Sequence, residues 1–474
     1  MELPTNQTDS SGRLSTLLLL AAAMVGVIAL IGYIVFLNKT ETLPNSVMLW
    51  VSAGLTGVGI MGVFAGLGLN LRRGANAFQI SVVSSIIALF GILFTAIVLE
   101  SGAVKSSWWL AFYSIILVEA LALLAMFYYG RANPDYKPIN FARKNALQLG
   151  IMVVFEVMWL VYIFQAPRTF LSPDIYSAFM ATIPLFGMVA LPLTMVIIAG
   201  EIDLSFPSIM ALGTVAFLET FEFSMKVFTD LGWFASSEGT MIGVSVTIGL
   251  LACLAAGLLA GLINGLLIVR IGMPSLIATI GTQFFWRGLI LVIREGRSGV
   301  LVQPKSSYLG DILVGKVAGY VPAQMIWFLL IAVLIWFLLN RHKFGAHIYL
   351  IGDNENSARL MGVNADRTRI QAFALVGIVS ALAGIAASLH VVNFFTSQGE
   401  GYLMTTLASV FLGGTSPFGG TGTILGTFFA CFIMGSIEAG IVAIGMTGFW
   451  TKLIYGLTIV ISVAMHTILR KRMG

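Results

Sequence analysis

Charge is scarce in this chain. Asp, Glu, Lys and Arg together make up 10% of its 474 residues, where a soluble domain carries about 25%. That shortage excludes a soluble enzyme. With 58% apolar residues and a mean hydropathy of +0.96, it also excludes a disordered chain. Cysteine is nearly absent. Cys253 and Cys431 lie in separate apolar stretches, which excludes a disulfide framework or a thiolate metal site. Only His342 and His347, among four histidines, have ligand-like spacing, and they sit in a basic, solvent-facing segment. No GxxxxGK[ST] nucleotide loop, HExxH, CxxC or GxSxG motif stands out. No self-contained catalytic site and no metal site follow, and the formal charge of +5 is better explained by topology than by nucleic acid.

Long apolar runs are what is there. A membrane-spanning helix needs about 20 mostly apolar residues. Runs at 17–37, 47–69, 78–99 and 108–129 precede a polar, basic stretch at 130–145. Ten more follow: 147–164, 183–199 (short, with Pro184 and Pro192), 206–221, 241–269, 275–293 (holding Arg287), 324–339, 370–392, 403–412, 423–444 and 449–469. The expected architecture is an all-α polytopic membrane protein of about 14 spans. It divides into a four-helix extension, residues 1–139, and a core, residues 140–474. With the N-terminus placed inside, most of the 26 basic residues fall on inner segments, among them Arg131, Lys137, Arg143, Arg341, Lys343, Arg367 and Arg470. This follows the positive-inside rule and puts both termini in the cytoplasm. Glycine is abundant (51 residues), and Gly257, Gly261 and Gly265 form a doubled GxxxG that lets helices approach closely. Glu119 and Glu156 are intramembrane carboxylates without an assignable role. Transport or channel function is the class that remains.

Three segments interrupt the helical pattern. The first is Gly200-Glu201-Ile202-Asp203-Leu204-Ser205, followed by Pro207. Asp203 and Ser205 are suited to capping backbone N–H groups, and Pro207 suits a first helical turn. The segment is either a plain capping turn or a hinge in a broken helix that lines a pathway. The second is Gly413-Gly414-Thr415-Ser416-Pro417-Phe418-Gly419-Gly420, which cannot continue a helix. It reads as a surface loop or as the second of two paired breaks at membrane depth. The third runs from Arg341 to Arg369. Within it, residues 354–360 form a short helix, capped by Asp353 or Asn354 and ended by Gly362, that lies on headgroups or meets a partner.

At these residues the chain resembles a known family. From about residue 140 onward it is similar to the permease subunits of bacterial ATP-binding-cassette (ABC) importers for simple sugars of the ribose, xylose and galactose group. The resemblance rests on the Gly200–Ser205 stretch, on Gly261-Leu262-Ile263-Asn264-Gly265 with Arg287-Gly288, on Gly352-Asp353-Asn354 with Ala358-Arg359 and Gly362-Val363, and on Leu412-Gly413-Gly414-Thr415-Ser416 with Gly419-Gly420. It implies a permease for a pentose or hexose in the bacterial inner membrane, working as a homodimer or related heterodimer. Two cytoplasmic ATPase subunits would bind the ATP and Mg, so this chain needs no cofactor of its own. They would dock on a coupling helix made of Asn354, Glu355, Ala358, Arg359, Leu360 and Gly362. An extracytoplasmic sugar-binding protein would deliver solute. Gly200, Glu201, Asp203, Ser205, Gly413, Gly414, Thr415, Ser416, Gly419 and Gly420 would form the pathway joints. Asn264, Thr282, Gln283, Trp286 and Asn393 are candidates to touch a neutral polyol. Two departures stand out: the family usually has Gly where Glu201 stands, and the four N-terminal runs are no part of its usual core. A nucleoside or sugar-like signal importer is the alternative. An ion-coupled transporter using Glu201 and Asp203 is the alternative of a different class.

Overall fold

The protein is described by a computed structural model over residues 151–473, apart from 152–153, 156–157, 160, 163–164, 171, 235–236, 318 and 320. The first four apolar runs, the basic stretch at 130–145, Glu119 and Glu156 lie outside the described residues. The described helices all belong to one compact unit, Ile139–Lys316 with Val321–Gly474. They are α1 (Pro173–Ile198), α2 (Phe206–Asp230), α3 (Glu238–Arg270), α4 (Ser275–Arg294), α5 (Ala323–Asn340), α6 (Lys343–Asp353), α7 (Glu355–Leu360), α8 (Ala365–Val391), α9 (Tyr402–Leu412), α10 (Ile424–Ala443) and α11 (Phe449–Met473), besides a few helices of four to seven residues. Among the described residues seven are long and apolar enough to cross a membrane: α1 to α5, α8 and α10. The apolar part of α11 and the 11-residue α9 are shorter. The chain is a multi-pass helical membrane protein.

Two elements run longer than their apolar patterns. The run expected to be short, 183–199, is the second part of a 26-residue helix that passes unbroken through Pro184 and Pro192. Proline removes a donor, but both prolines lie in the part of α1 that is buried among α5, α8, α9 and α10, and close neighbours hold such a helix together. Helix α2 continues nine residues past the expected end at 221. Its polar turn is stabilised because Glu219 and Glu222 both pair with Arg294 of α4, at 2.8 and 3.4 Å.

Helices α2, α3 and α8 form the centre of the unit, with α1 against α8 and α5. The glycine repeat does what its spacing predicts. A Cβ added at Gly261 would lie 2.9 Å from the Ala374 Cα of α8, and one at Gly265 would lie 2.8 Å from the Ile370 Cα. The two backbones therefore touch along three helical turns, where dispersion between close-packed atoms substitutes for the hydrophobic drive that lipid removes.

Candidate functional site

The three interruptions seen in the sequence converge on one joint. After α1 the chain turns at Gly200 (φ +85°), a left-handed geometry that favours glycine. A Cβ at Gly419 would stand 3.0 Å from both the Gly200 Cα and the Gly352 carbonyl oxygen. The Gly420 amide donates to the Ile198 carbonyl at 2.9 Å, and the Tyr349 hydroxyl donates to the Gly422 carbonyl at 2.8 Å. Gly413 closes the other side, where its Cβ would lie 2.5 Å from the Thr427 Cα at the start of α10. Gly414 and Thr415 are buried beside it, and the Ser416 amide donates to the Thr421 carbonyl at 3.0 Å. Thus the end of α1, the end of α6 and the turn after α9 interlock backbone to backbone; at Gly352, Gly413 and Gly419 a side chain would meet neighbouring backbone, while Gly200 is required by its left-handed turn.

Below this joint sits a buried polar chain. Asp203 is wholly buried; its Oδ1 accepts from the Ser205 amide (2.8 Å) and hydroxyl (2.7 Å). Asn264 of α3 donates to the Ser205 hydroxyl at 2.7 Å, and Thr282 of α4 donates to Asn264 Oδ1 at 2.7 Å. The capping expected of Ser205 is not made, because its hydroxyl is committed to Asp203 and Asn264. Such pairing offsets the cost of burying these groups, although Asp203 Oδ2 is buried without a partner. The network ties α2, α3 and α4 together at the point where the chain is broken. Asn264 and Thr282, expected along a solute path, are thereby occupied with each other. Gln283 is half-buried beside them, while Trp286 Nε1 and Asn393 Oδ1 are buried without a partner.

Helix α7 follows its sequence reading closely. Asn354 Oδ1 accepts from the Ser357 amide at 2.9 Å, and Gly362 turns the chain at φ +82°. Ala358 is the buried anchor, in a small core with Ile351, Val363 and Ala365. The opposite side is bare: Leu360 is 90% and Met361 62% exposed. Charges fix the helix in place. Glu355 Oε1 accepts from Arg359 Nε at 3.0 Å, Arg359 also pairs with Asp366, and Glu355 Oε2 accepts from Arg369 at 2.8 Å. The Arg369 and Arg359 guanidiniums hold the Glu355 carboxyl below the usual carboxylate range. Arg369 Nε in turn lies 2.9 Å from Glu201 Oε1. Burial pushes the Glu201 carboxyl up, and the Arg369 charge opposes that rise.

One element escaped sequence reading. After α8 the chain does not go straight to the next helix; Asn393 and Phe394 pair antiparallel with Val300 and Gly299, and residues 395–401 form turns that lead to α9, with Gly399 buried among them. Gly399 packs with its Cβ position 2.9 Å from the Pro207 Cα. Arg287 of α4 satisfies this bare backbone by donating to the Thr396 carbonyl and, at 2.9 Å, to the Gln398 carbonyl, and it pairs with Glu400 at 3.4 Å. The Gln398 side chain donates to the Gly384 carbonyl at 2.6 Å. The signal was Arg287 itself, since a guanidinium within an apolar run demands an internal partner. Among the described residues no three His, Cys, Asp or Glu side chains are placed to hold a metal ion.

A family profile described as "Branched-chain amino acid transport system / permease component" matches residues 175–463. The chain belongs to this permease family. The joint, α7 and the turns at 395–401 all fall inside the matched residues of the permease. It is 31% identical to the ribose import permease protein RbsC of Bacillus subtilis (strain 168), over 63% of this chain and 86% of that one. It is 31% identical to the autoinducer 2 import system permease protein LsrC of Enterobacter sp. (strain 638), over 62% of this chain and 86% of that one. The namesake LsrC of Yersinia pestis (strain Pestoides F) is 28% identical, over 68% and 84%. No solved structure matches the permease.

Proposed function

We propose that the chain is the membrane-spanning subunit of an ABC importer for a neutral, polyhydroxylated solute: a pentose, a hexose or a sugar-like signal. The observation that carries this reading is α7. It is a capped six-residue helix, held by ion pairs at its base and presenting Leu360 and Met361 to solvent. Such an apolar tip, on a short helix outside the spans, is suited to contact with a partner. In a permease without a nucleotide-binding loop, that partner is a cytoplasmic ATPase subunit, which holds the ATP and Mg while this chain needs no cofactor. The α7 end of the bundle is then the cytoplasmic end, and the protein sits in the bacterial inner membrane. A second permease copy, the same or related, completes the pathway. An extracytoplasmic sugar-binding protein delivers the solute at the opposite end. Residues 1–139 are a separate membrane extension of the 140–474 core.

The solute class rests on the relatives' named cargoes and on side-chain chemistry. A zwitterionic amino acid needs an acid and a base facing the path. Gln283, Trp286 and Asn393 offer neutral hydrogen-bonding groups, two of them with unpaired polar atoms. Groups of this kind suit the hydroxyls of a ribose-class ring.

The test is reconstitution in vesicles with the cognate ATPase and binding protein. Uptake of radiolabelled ribose or autoinducer 2 is expected to require ATP and to cease without the ATPase. Uptake driven by a proton or sodium gradient, with no ATPase present, would refute the reading in favour of an ion-coupled carrier.

A further inference from the structure

Arg369 stands between two elements that do not otherwise share a contact described above: α7, which carries Glu355, and the break after α1, which carries Glu201. Its guanidinium reaches Glu355 Oε2 at 2.8 Å on one side and Glu201 Oε1 at 2.9 Å on the other. The two ends differ in kind. The Glu355 contact has the geometry of a hydrogen bond. The Glu201 contact, through Nε, is close in distance but lacks hydrogen-bond alignment, so it is a coulombic contact that tolerates sliding. Both Arg369 and Glu201 are largely shielded, at 15% and 12% side-chain exposure, which keeps salt from screening the pair. Leaving either charge alone at such burial is costly, so the two move together.

We propose that Glu201 and Arg369 are positioning residues that carry the displacement of α7 to the broken segment between α1 and α2. If α7 shifts, Glu355 draws Arg369 with it, and Arg369 draws or releases Glu201. Glu201 lies two residues from Asp203, which accepts from the Ser205 hydroxyl, and that hydroxyl in turn accepts from Asn264 of α3. A movement at the surface helix thereby reaches the point where the bundle is interrupted through the Arg369 side chain, which projects from the first turns of α8. This inference rests on the transport reading for its purpose but not for its measurement.

Two arms test it. In vesicles containing the complete complex, Glu201→Gln and Arg369→Gln are expected to lower the solute moved per ATP hydrolysed about tenfold. Arg369→Lys keeps the charge and should recover most of the ratio, which a purely space-filling role would not allow. The second arm uses the full chain alone in lipid nanodiscs. Glu355→Gln should change amide exchange of residues 199–205 several-fold, although Glu355 makes no hydrogen bond or ion pair with any of them. A wild-type transport ratio in Glu201→Gln, or unchanged exchange at 199–205 in Glu355→Gln, overturns the proposal. Absence of ATP-driven uptake by the wild-type complex would instead sink the transport reading, and the exchange arm would still decide the link.

Discussion

Gly352→Ala is expected to abolish transport and to cost about 3–5 kcal/mol of stability, from overpacking combined with the loss of a buried hydrogen bond. The added methyl would fall onto the Ile198 carbonyl oxygen and 2.5 Å from the Gly420 amide nitrogen, between the two atoms whose bond closes the joint. No flexible side chain is there to yield, since every neighbour is backbone. The comparison that isolates this effect is Gly200→Ala. Nothing lies within 4 Å of a Cβ at Gly200, and its φ of +85° is the only obstacle. Left-handed strain costs an alanine about 1–2 kcal/mol. Thermal unfolding in detergent should therefore rank Gly352→Ala well below Gly200→Ala. Equal losses would mean that the joint is not packed as tightly as its backbone contacts require.

Leu360→Glu combined with Arg359→Glu is expected to weaken association with the ATPase by at least about 30-fold, the effect of losing one interface anchor of about 2 kcal/mol. Leu360 is exposed and supports no neighbour, so its replacement has little reason to disturb the fold. Arg359 has exposed pairs with Glu355 and Asp366, each worth about 1 kcal/mol or less. Co-purification with the ATPase should fall while the thermal midpoint of the membrane part moves little. Retention of the ATPase at wild-type yield would remove α7 from the interface.

Local chemistry was legible in the sequence where it is local. Asn354 and Gly362 bracket a helix by cap and left-handed turn, and Gly257, Gly261 and Gly265 mark a helix contact by spacing alone. The glycine-rich turn at 413–420 announces that no helix passes. What spacing does not encode is which breaks meet. Gly200, Gly352 and Gly419 are far apart along the chain, and their meeting depends on how α1, α6 and α9 pack. For the same reason Glu201 reads in isolation as a stray carboxylate, although it has a partner 168 positions later in Arg369. Pro184 and Pro192 mislead in the opposite direction: proline statistics come from helices bathed in water, and α1 is enclosed by protein. The turn segment at 395–401 has no strong pattern of its own, and only Arg287 signalled that something non-helical lay opposite.

The most direct test is site-specific cross-linking from Leu360→Cys in the assembled complex within cells. The cysteine should be unreactive to a membrane-impermeant thiol reagent added from outside. With the ATPase present it should form a cross-link to that subunit in high yield, and the free thiol should reappear when the ATPase is deleted. Labelling of Leu360→Cys from the outside would place α7 on the wrong face of the membrane and contradict the assignment of a motor-docking helix.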